Sequence, residues 1–231
     1  MATFASFLSS TRPDFERTNT PLTKPLVIHA VAGAGKTTLL RDFLRANPLT
    51  NAQTLGTPDC PTLDGAYIRP FSGPVANLVN VLDEYTAQPV TGSWDVLIAD
   101  PLQHYERAKL PHYICKRSHR LCPATARLLR KLGLDIHSYR EDESEISFSD
   151  IFSGQLEGTV LPLTPLCKDL LERHSCPFKC PSEFIGEQDD TITVVSEIPL
   201  SKHPDKTALY RALTRHTRKL NVLAPPPYPT P

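Results

Sequence analysis

The segment Gly33-Ala34-Gly35-Lys36-Thr37-Thr38 holds the residue types that can grip a chain of phosphates. Glycines let the backbone curl so that several N–H groups converge on phosphate oxygens, and a helix starting there adds its positive end. In this reading residues Gly33, Ala34, Gly35 and Thr38 cradle the phosphates, Lys36 reaches the β- and γ-phosphates, and the Thr37 hydroxyl holds Mg²⁺. The full phosphate-loop pattern places a glycine six residues before the lysine, and here that residue is Ala30.

Hydrolysis of a bound triphosphate also needs acids and a charge sensor. Val81-Leu82-Asp83-Glu84-Tyr85 ends an apolar run in two acids. Asp83 suits Mg²⁺ coordination and Glu84 suits polarisation of the attacking water. In Ala99-Asp100-Pro101-Leu102-Gln103, Gln103 could sense a γ-phosphate, although an Asp-Pro turn is the plain alternative. Two later arginines, Arg120 in Ser118-His119-Arg120 and Arg215 in Ala212-Leu213-Thr214-Arg215-His216, could neutralise charge in the transition state. Lys36, Glu84, Gln103, Arg120 and Arg215 are therefore the candidate catalytic residues.

These residues need strands that stop at the right places. Leu26-Val27-Ile28-His29-Ala30-Val31 is a short β-branched run of the kind buried in parallel sheets. After the glycine turn, Leu40, Phe43 and Leu44 recur at helical spacing from Thr37 to Ala46, and Asn47-Pro48 stops the helix. Further apolar runs lie at Thr54-Leu55, 78–82, 96–99 and 113–115. Acids follow the second and third, and in open α/β sheets that carboxyl edge is where ligands bind. Pro123 to Leu132 reads as a helix ended by Gly133. Residues 141–145 read as a solvated acidic loop, 191–195 as a strand, 206–217 as a helix and 220–223 as a strand. The tail from Ala224 to Pro231 reads as extended and unpacked.

The bulk numbers set limits. The chain has 231 residues, enough for one large domain or two small lobes. Lys plus Arg and Asp plus Glu each total 25, so no overall cationic field attracts nucleic acid from a distance. Neither a signal-peptide pattern nor an apolar run near the roughly 18 residues of a membrane span is present. The six cysteines read as reduced thiols, and the chain as soluble and intracellular.

The ordered series resembles the triple gene block movement proteins of potexvirus- and carlavirus-type plant viruses. The matching stretches are 29–37, 54–59, 82–85, 99–103, 118–120 and 212–215, spanning most of the chain. The resemblance implies an α/β chain of two small RecA-like lobes with parallel sheets, of the superfamily 1 helicase type, in which alanine at position 30 is tolerated. The implied organisation is an N-terminal segment 1–22, a first lobe 23–115 with the phosphate loop, a second lobe 116–223 and a proline-rich tail 224–231. It implies ATP and Mg²⁺ as cofactors, with nucleotide in or beside the cleft between the lobes, and an RNA-stimulated ATPase. Single-stranded viral RNA is the implied partner, with self-association, binding to coat protein or virions and other viral movement proteins, passage through plasmodesmata, and suppression of RNA silencing. The implied location is the host cytoplasm, plasmodesmata and inclusion bodies. The chain departs from the family at Ile185-Gly186-Glu187-Gln188-Asp189, where relatives carry a Thr-Gly-x-Glu-Phe type motif, and at His119, where some carry phenylalanine.

A stretch from Lys109 to Leu134 holds Lys109, Lys116, Arg117, Arg120, Arg127, Arg130 and Lys131 with no acid among them. Lys116, Arg117, Arg127 and Arg130 are candidate RNA contacts, with Tyr113 and His119 as stacking surfaces; a solvated helix face is the plain alternative. The resemblance adds Thr54 and Thr57, beside Pro58, as RNA-backbone contacts. Cys167, His174, Cys176 and Cys180 fit no common zinc spacing and read as structural, as does His29. Pro225-Pro226-Pro227-Tyr228 has the form a WW domain accepts, but a disordered tail explains it as well. Phe4, Phe7 and Leu8 could dock on the core or on a partner. Two rival functions stay open: a P-loop kinase for a small metabolite, and an RNA-binding protein in which ATP only sets conformation.

Overall fold

The computed structural model describes residues 2–183 and 188–228, so Ile185, Gly186 and Glu187 of the departing motif and Pro229–Pro231 of the tail lie outside the described residues. The chain forms two compact units, Met1–Arg117 and Ser118–Pro231.

The first unit is a seven-stranded sheet. Its order is Glu16–Arg17, Tyr113–Cys115, Leu26–Ala30, Val96–Ala99, Val79–Asp83, Thr50–Thr54 and Arg69–Pro70. Every pairing is parallel except that of Glu16–Arg17 with Tyr113–Cys115. All five residues of Leu26–Ala30 are buried, as a central parallel strand with both faces covered requires. One face is covered by the helix Lys36–Ala46, which buries Leu39, Leu40, Phe43 and Leu44. The helix Ala2–Thr11 docks on it, with Phe4 and Leu8 buried and the Phe4 ring 4.3 Å from that of Phe43. The N-terminal aromatics thus belong to the core. The other face carries Val27, Leu82, Tyr85, Trp94, Leu97 and Ala99.

The Thr50–Thr54 strand is longer than the apolar Thr54-Leu55 pair suggested, and its Asn51, Gln53 and Thr54 are polar yet buried. The two buried amides are paired: Asn51 donates to Asn80 Oδ1 at 2.7 Å, and the Gln53 amide bonds the backbone at Ser72 and Gly73.

The second unit is a four-stranded parallel sheet ordered Glu145–Ser149, His216–Leu223, Asp189–Val195 and Thr159–Pro162. Its helices Pro123–Lys131, Pro165–Arg173 and Lys206–Leu213 begin at Cys122, Thr164 and Asp205, whose side chains each accept a backbone N–H of the first turn. Three expectations are corrected here. The last helix stops at Leu213 rather than 217, because the Thr214 hydroxyl turns back to Tyr210 O at 2.8 Å and the chain enters its strand at His216. The acidic loop is not merely solvated: Glu143 accepts the Ala124 N–H at 2.7 Å and pairs with Arg127, and Glu145 opens a strand. The tail does pack, with Ala224 N–H bonded to Ser149 O and the Tyr228 ring 5.6 Å from Phe148. Among the described residues no helix is long and apolar enough to cross a membrane.

Candidate nucleotide-binding site

The turn after Leu26–Ala30 places Gly33 and Gly35 at φ 75° and 82°, the left-handed region that side chains avoid. A Cβ built on Gly35 would meet nothing within 4 Å, so the glycine is needed for backbone conformation and the space around it is open. Gly35 is also the N-cap of Lys36–Ala46 and offers no side-chain cap, which leaves first-turn N–H groups for an anion. Lys36 is buried, its Nζ 3.1 Å from Ala30 O and 3.9 Å from Glu84 Oε1. That contact explains why alanine serves at position 30: the lysine uses the carbonyl, which every residue has. Thr37 and Thr38 are exposed.

Asp83 closes the Val79–Asp83 strand, in register with Ile98 on one side and Thr54 on the other. Its carboxyl is buried, and Oδ1 has no hydrogen-bond partner. Desolvation pushes its pKa up to about 7; the neighbouring Glu84 charge adds to this and Lys36 opposes it. An orphaned buried carboxylate oxygen is costly by itself and is relieved by a cation. Asp83 and Thr37 are both oxygen donors, which fits a hard cation such as Mg²⁺. Among the described residues no three His, Cys, Asp or Glu side chains gather to hold a metal. Mg²⁺ does not need such a cage, because it is held by one or two carboxylates together with phosphates and water.

Asp100, fully buried, anchors the next turn by accepting the Leu102 N–H and the Gln103 side-chain amide, each at 3.1 Å. Gln103 is thereby held from behind. One feature escaped the sequence reading. His29, on the phosphate-loop strand, lies 2.8 Å from the hydroxyl of Tyr85, the residue after the acid pair. The available signal was a histidine inside an otherwise apolar strand.

A parallel sheet carries a phosphate loop, and a buried lysine faces an acid pair at the end of a strand two places along; this is the arrangement of a nucleotide site, and comparison with known proteins narrows it. Residues 26–224 match the viral superfamily 1 RNA helicase core domain. The chain is 52% identical over 221 residues to the movement and silencing protein TGBp1 of Plantago asiatica mosaic potexvirus, covering 95% of this chain and 96% of that one. It is 44% identical to the protein of the same name from Papaya mosaic potexvirus, covering 91% of each. The chain belongs to this viral helicase family. Among solved structures, an arterivirus nonstructural protein 10 helicase in complex with DNA superposes with TM-score 0.58 at 13% identity, covering 86% of this chain and 60% of that one. Another crystal structure of an arterivirus nonstructural protein 10 helicase gives 0.51 at 12% identity, covering 95% of this chain and 56% of that one. These share the fold, and this chain spans just over half their length.

The remaining family positions fall as follows. Arg120 is half-buried and Arg215 is 3% exposed, both in the second unit, whereas Lys36, Thr37, Asp83, Glu84 and Gln103 belong to the first. Thr54 is buried and its hydroxyl accepts the Gly56 N–H at 2.9 Å, so it shapes the turn beside Asp83; Thr57 is exposed. Lys116 and Arg117 are exposed at the end of the first unit. Arg127 and Arg130 are exposed on a helix of the second, where Arg127 pairs with Glu143 and Arg130 donates to Ile136 O. Tyr113 is corrected: it is buried, beneath Arg17, and offers no face to a base. His119 is exposed and stacks on Tyr139 at 4.5 Å.

Proposed function

We propose that the chain binds MgATP at residues 33–38 and hydrolyses it in response to single-stranded RNA, as a small helicase-type motor serving viral movement and suppression of silencing. The observation that carries this is the Lys36 ammonium, 3.9 Å from Glu84 Oε1, beside an Asp83 carboxylate oxygen with no partner in the fold. Backbone N–H groups of the loop and Lys36 bind the phosphates. Thr37 and Asp83 would hold Mg²⁺, whose charge would neutralise β- and γ-phosphate oxygens. Glu84 orients the attacking water and takes up its proton, and Gln103 registers the γ-phosphate. Arg120 and Arg215 are assigned to the charge that develops in the transition state.

Lys116, Arg117, Arg127 and Arg130, with the exposed Thr57, supply the RNA contacts, and affinity falls with salt as counterions are released. That its relatives are movement and silencing proteins supports transport of viral RNA between host cells. Residence in the host cytoplasm and at plasmodesmata or in inclusion bodies, self-association, and binding to coat protein, virions or other movement proteins belong to the same proposal. The deciding experiment measures phosphate release by the full chain with and without single-stranded RNA, beside Lys36→Ala. RNA-stimulated turnover that the variant lacks supports the reading; equal turnover in both overturns it. A second reading, in which ATP only sets conformation, is favoured by a length just over half that of the arterivirus helicases. Strand separation that tracks turnover would remove it. Helicase-family membership argues against a small-metabolite kinase.

A further inference from the structure

We propose that Tyr85 and His29 act as one positioning unit that fixes Glu84, and through Asp100 the Gln103 turn, at the phosphate loop. The inference rests on the hydrolysis reading above and adds residues that touch neither nucleotide nor water.

Glu84 sits at φ 53°, in the left-handed region that non-glycine residues rarely occupy. A carboxylate held that way keeps its aim only if its surroundings over-determine the backbone. The next residue does so. Tyr85 is buried, and its N–H bonds Ile98 O at 3.3 Å. Its hydroxyl accepts the Lys109 N–H at 2.9 Å and lies 2.8 Å from His29 Nε2. With Lys109 donating to it, the hydroxyl can pass its own proton into a hydrogen bond with His29 Nε2 in the tautomer whose proton is on Nδ1. Burial lowers the His29 pKa to about 4, against the opposing charge of Asp100, so the ring is neutral at pH 7.

The connections run in both directions from His29. It lies one residue before Ala30, whose carbonyl receives Lys36. Asp100 follows Ala99, the register partner of His29, and carries the Gln103 amide on its own carboxylate. The phosphate-loop strand, the acid pair and the Gln103 turn are thus keyed to one another around a tyrosine hydroxyl. A phenylalanine would fill nearly the same volume, so the hydroxyl is the part that needs explaining.

The test is steady-state ATP hydrolysis by the full chain with saturating uridylate oligonucleotide. Tyr85→Phe should lower kcat about tenfold with KM for ATP within twofold, because the defect lies in aiming rather than in binding. His29→Leu should do the same, and the double variant should lose no more than the worse single, as expected of residues acting as a unit. His29→Gln, which keeps an acceptor near Nε2, should recover most of the loss. Tyr85→Phe within twofold of wild-type kcat, equal changes in kcat and KM, or multiplying losses in the double variant would overturn the proposal. If Tyr85→Phe fails to fold, the contrast between His29→Leu and His29→Gln decides. Absence of turnover in wild-type protein would instead bring down the hydrolysis reading itself. Normal wild-type turnover with an unaffected Tyr85→Phe removes only this inference.

Discussion

At the sheet edge of the first unit, polar groups are left over. Asp83 Oδ1 is buried without a partner, first-turn N–H groups of Lys36–Ala46 are uncapped, and Thr37 is exposed. Around Arg215 in the second unit, several polar groups are bonded locally, although His216 Nδ1 is buried without a hydrogen-bond partner. The Thr214 hydroxyl turns to Tyr210 O, His216 Nε2 meets the Thr125 hydroxyl at 2.9 Å, and the Arg215 carbonyl takes the Asp189 N–H. Unmet polar demand beside an uncapped helix start and a glycine turn suits a ligand, whereas a region whose side chains mostly bond one another keeps a shape. Polar residues at the first unit's sheet edge should therefore respond to substitution through chemistry, and Arg215 through chemistry and stability together.

The sharpest break of that contrast comes from Lys36→Ala and Arg215→Ala. Each should lower kcat by about 10³-fold, the scale of lost charge stabilisation in phosphoryl transfer. Lys36→Ala should leave the melting temperature within a few degrees of wild type. Arg215→Ala, at a buried position, should also lower it by several degrees, while Arg215→Lys recovers stability but stays at least tenfold slow, since an ammonium lacks the guanidinium fork. Calorimetry beside phosphate-release kinetics checks both. A fully active Arg215→Lys would reduce Arg215 to a structural cation.

Next in size is the apolar support beneath the loop. Phe4→Ala removes a fully buried ring packed at a tilt against Phe43 and should cost about 3 kcal/mol of stability, seen as a lower midpoint in urea. Below the midpoint, MgATP affinity should hold, because the helix start that binds phosphate is unchanged. Lost affinity in a folded variant would show that Ala2–Thr11 shapes the site itself.

The third test uses pH. The Asp83 pKa is raised in the fold, from 3.8 to about 7, so the folded state holds a proton that the unfolded chain has released. Stability from this group is complete below about pH 4 and is lost as pH rises towards 7, at no more than about 1.4 kcal/mol per pH unit. Asp59 works in the opposite sense, its pKa lowered by the Arg41 hydrogen bond, so its contribution is lost as pH falls below about 4. Thermal melts of wild type and Asp83→Asn between pH 5 and 8 should differ in slope, the variant being flatter. Adding Mg²⁺ should flatten wild type as well. Parallel slopes would mean that Asp83 is already ionised and the site electrostatics need revision.

The same asymmetry explains what could be seen in the sequence. Phosphate chemistry demands particular residues at particular spacings, so Lys36, Thr37, Asp83 and Glu84 stood out before any fold was known. Leu26–Ala30 and Val96–Ala99 stood out because strands covered on both faces must be continuously apolar. Thr50–Thr54 was largely hidden because its buried side chains are Asn51 and Gln53, stabilised by partners distant in sequence. Glu145–Ser149 began in an acid run and read as loop, although its register against Lys219–Leu223 is parallel and unbroken. Thr159–Pro162 and Pro165–Arg173 went unread, and the helix from Lys206 was drawn through His216, whose burial in the sheet is a tertiary effect. The pairing of His29 with Tyr85 joins residues 56 positions apart, and no local pattern reports such a contact.

The smallest expected effect concerns Arg127, a candidate RNA contact that is already engaged. Glu143 pairs with it at 3.0 Å and accepts the Ala124 N–H near the start of the same helix. A phosphate would have to compete with that carboxylate for the guanidinium. Glu143→Ala should therefore tighten binding of a uridylate oligonucleotide by about twofold to threefold at low salt, an advantage that fades as salt screens the charges. The same change removes an acidic cap and should cost about 0.5–1 kcal/mol in stability. Arg127→Ala should move affinity the other way and reduce the salt slope by about one unit. Fluorescence anisotropy across a salt series reads all three proteins. If Glu143→Ala loses stability while RNA affinity and slope stay fixed, the pair serves only the helix, and the RNA path must be sought along Lys116, Arg117 and Thr57.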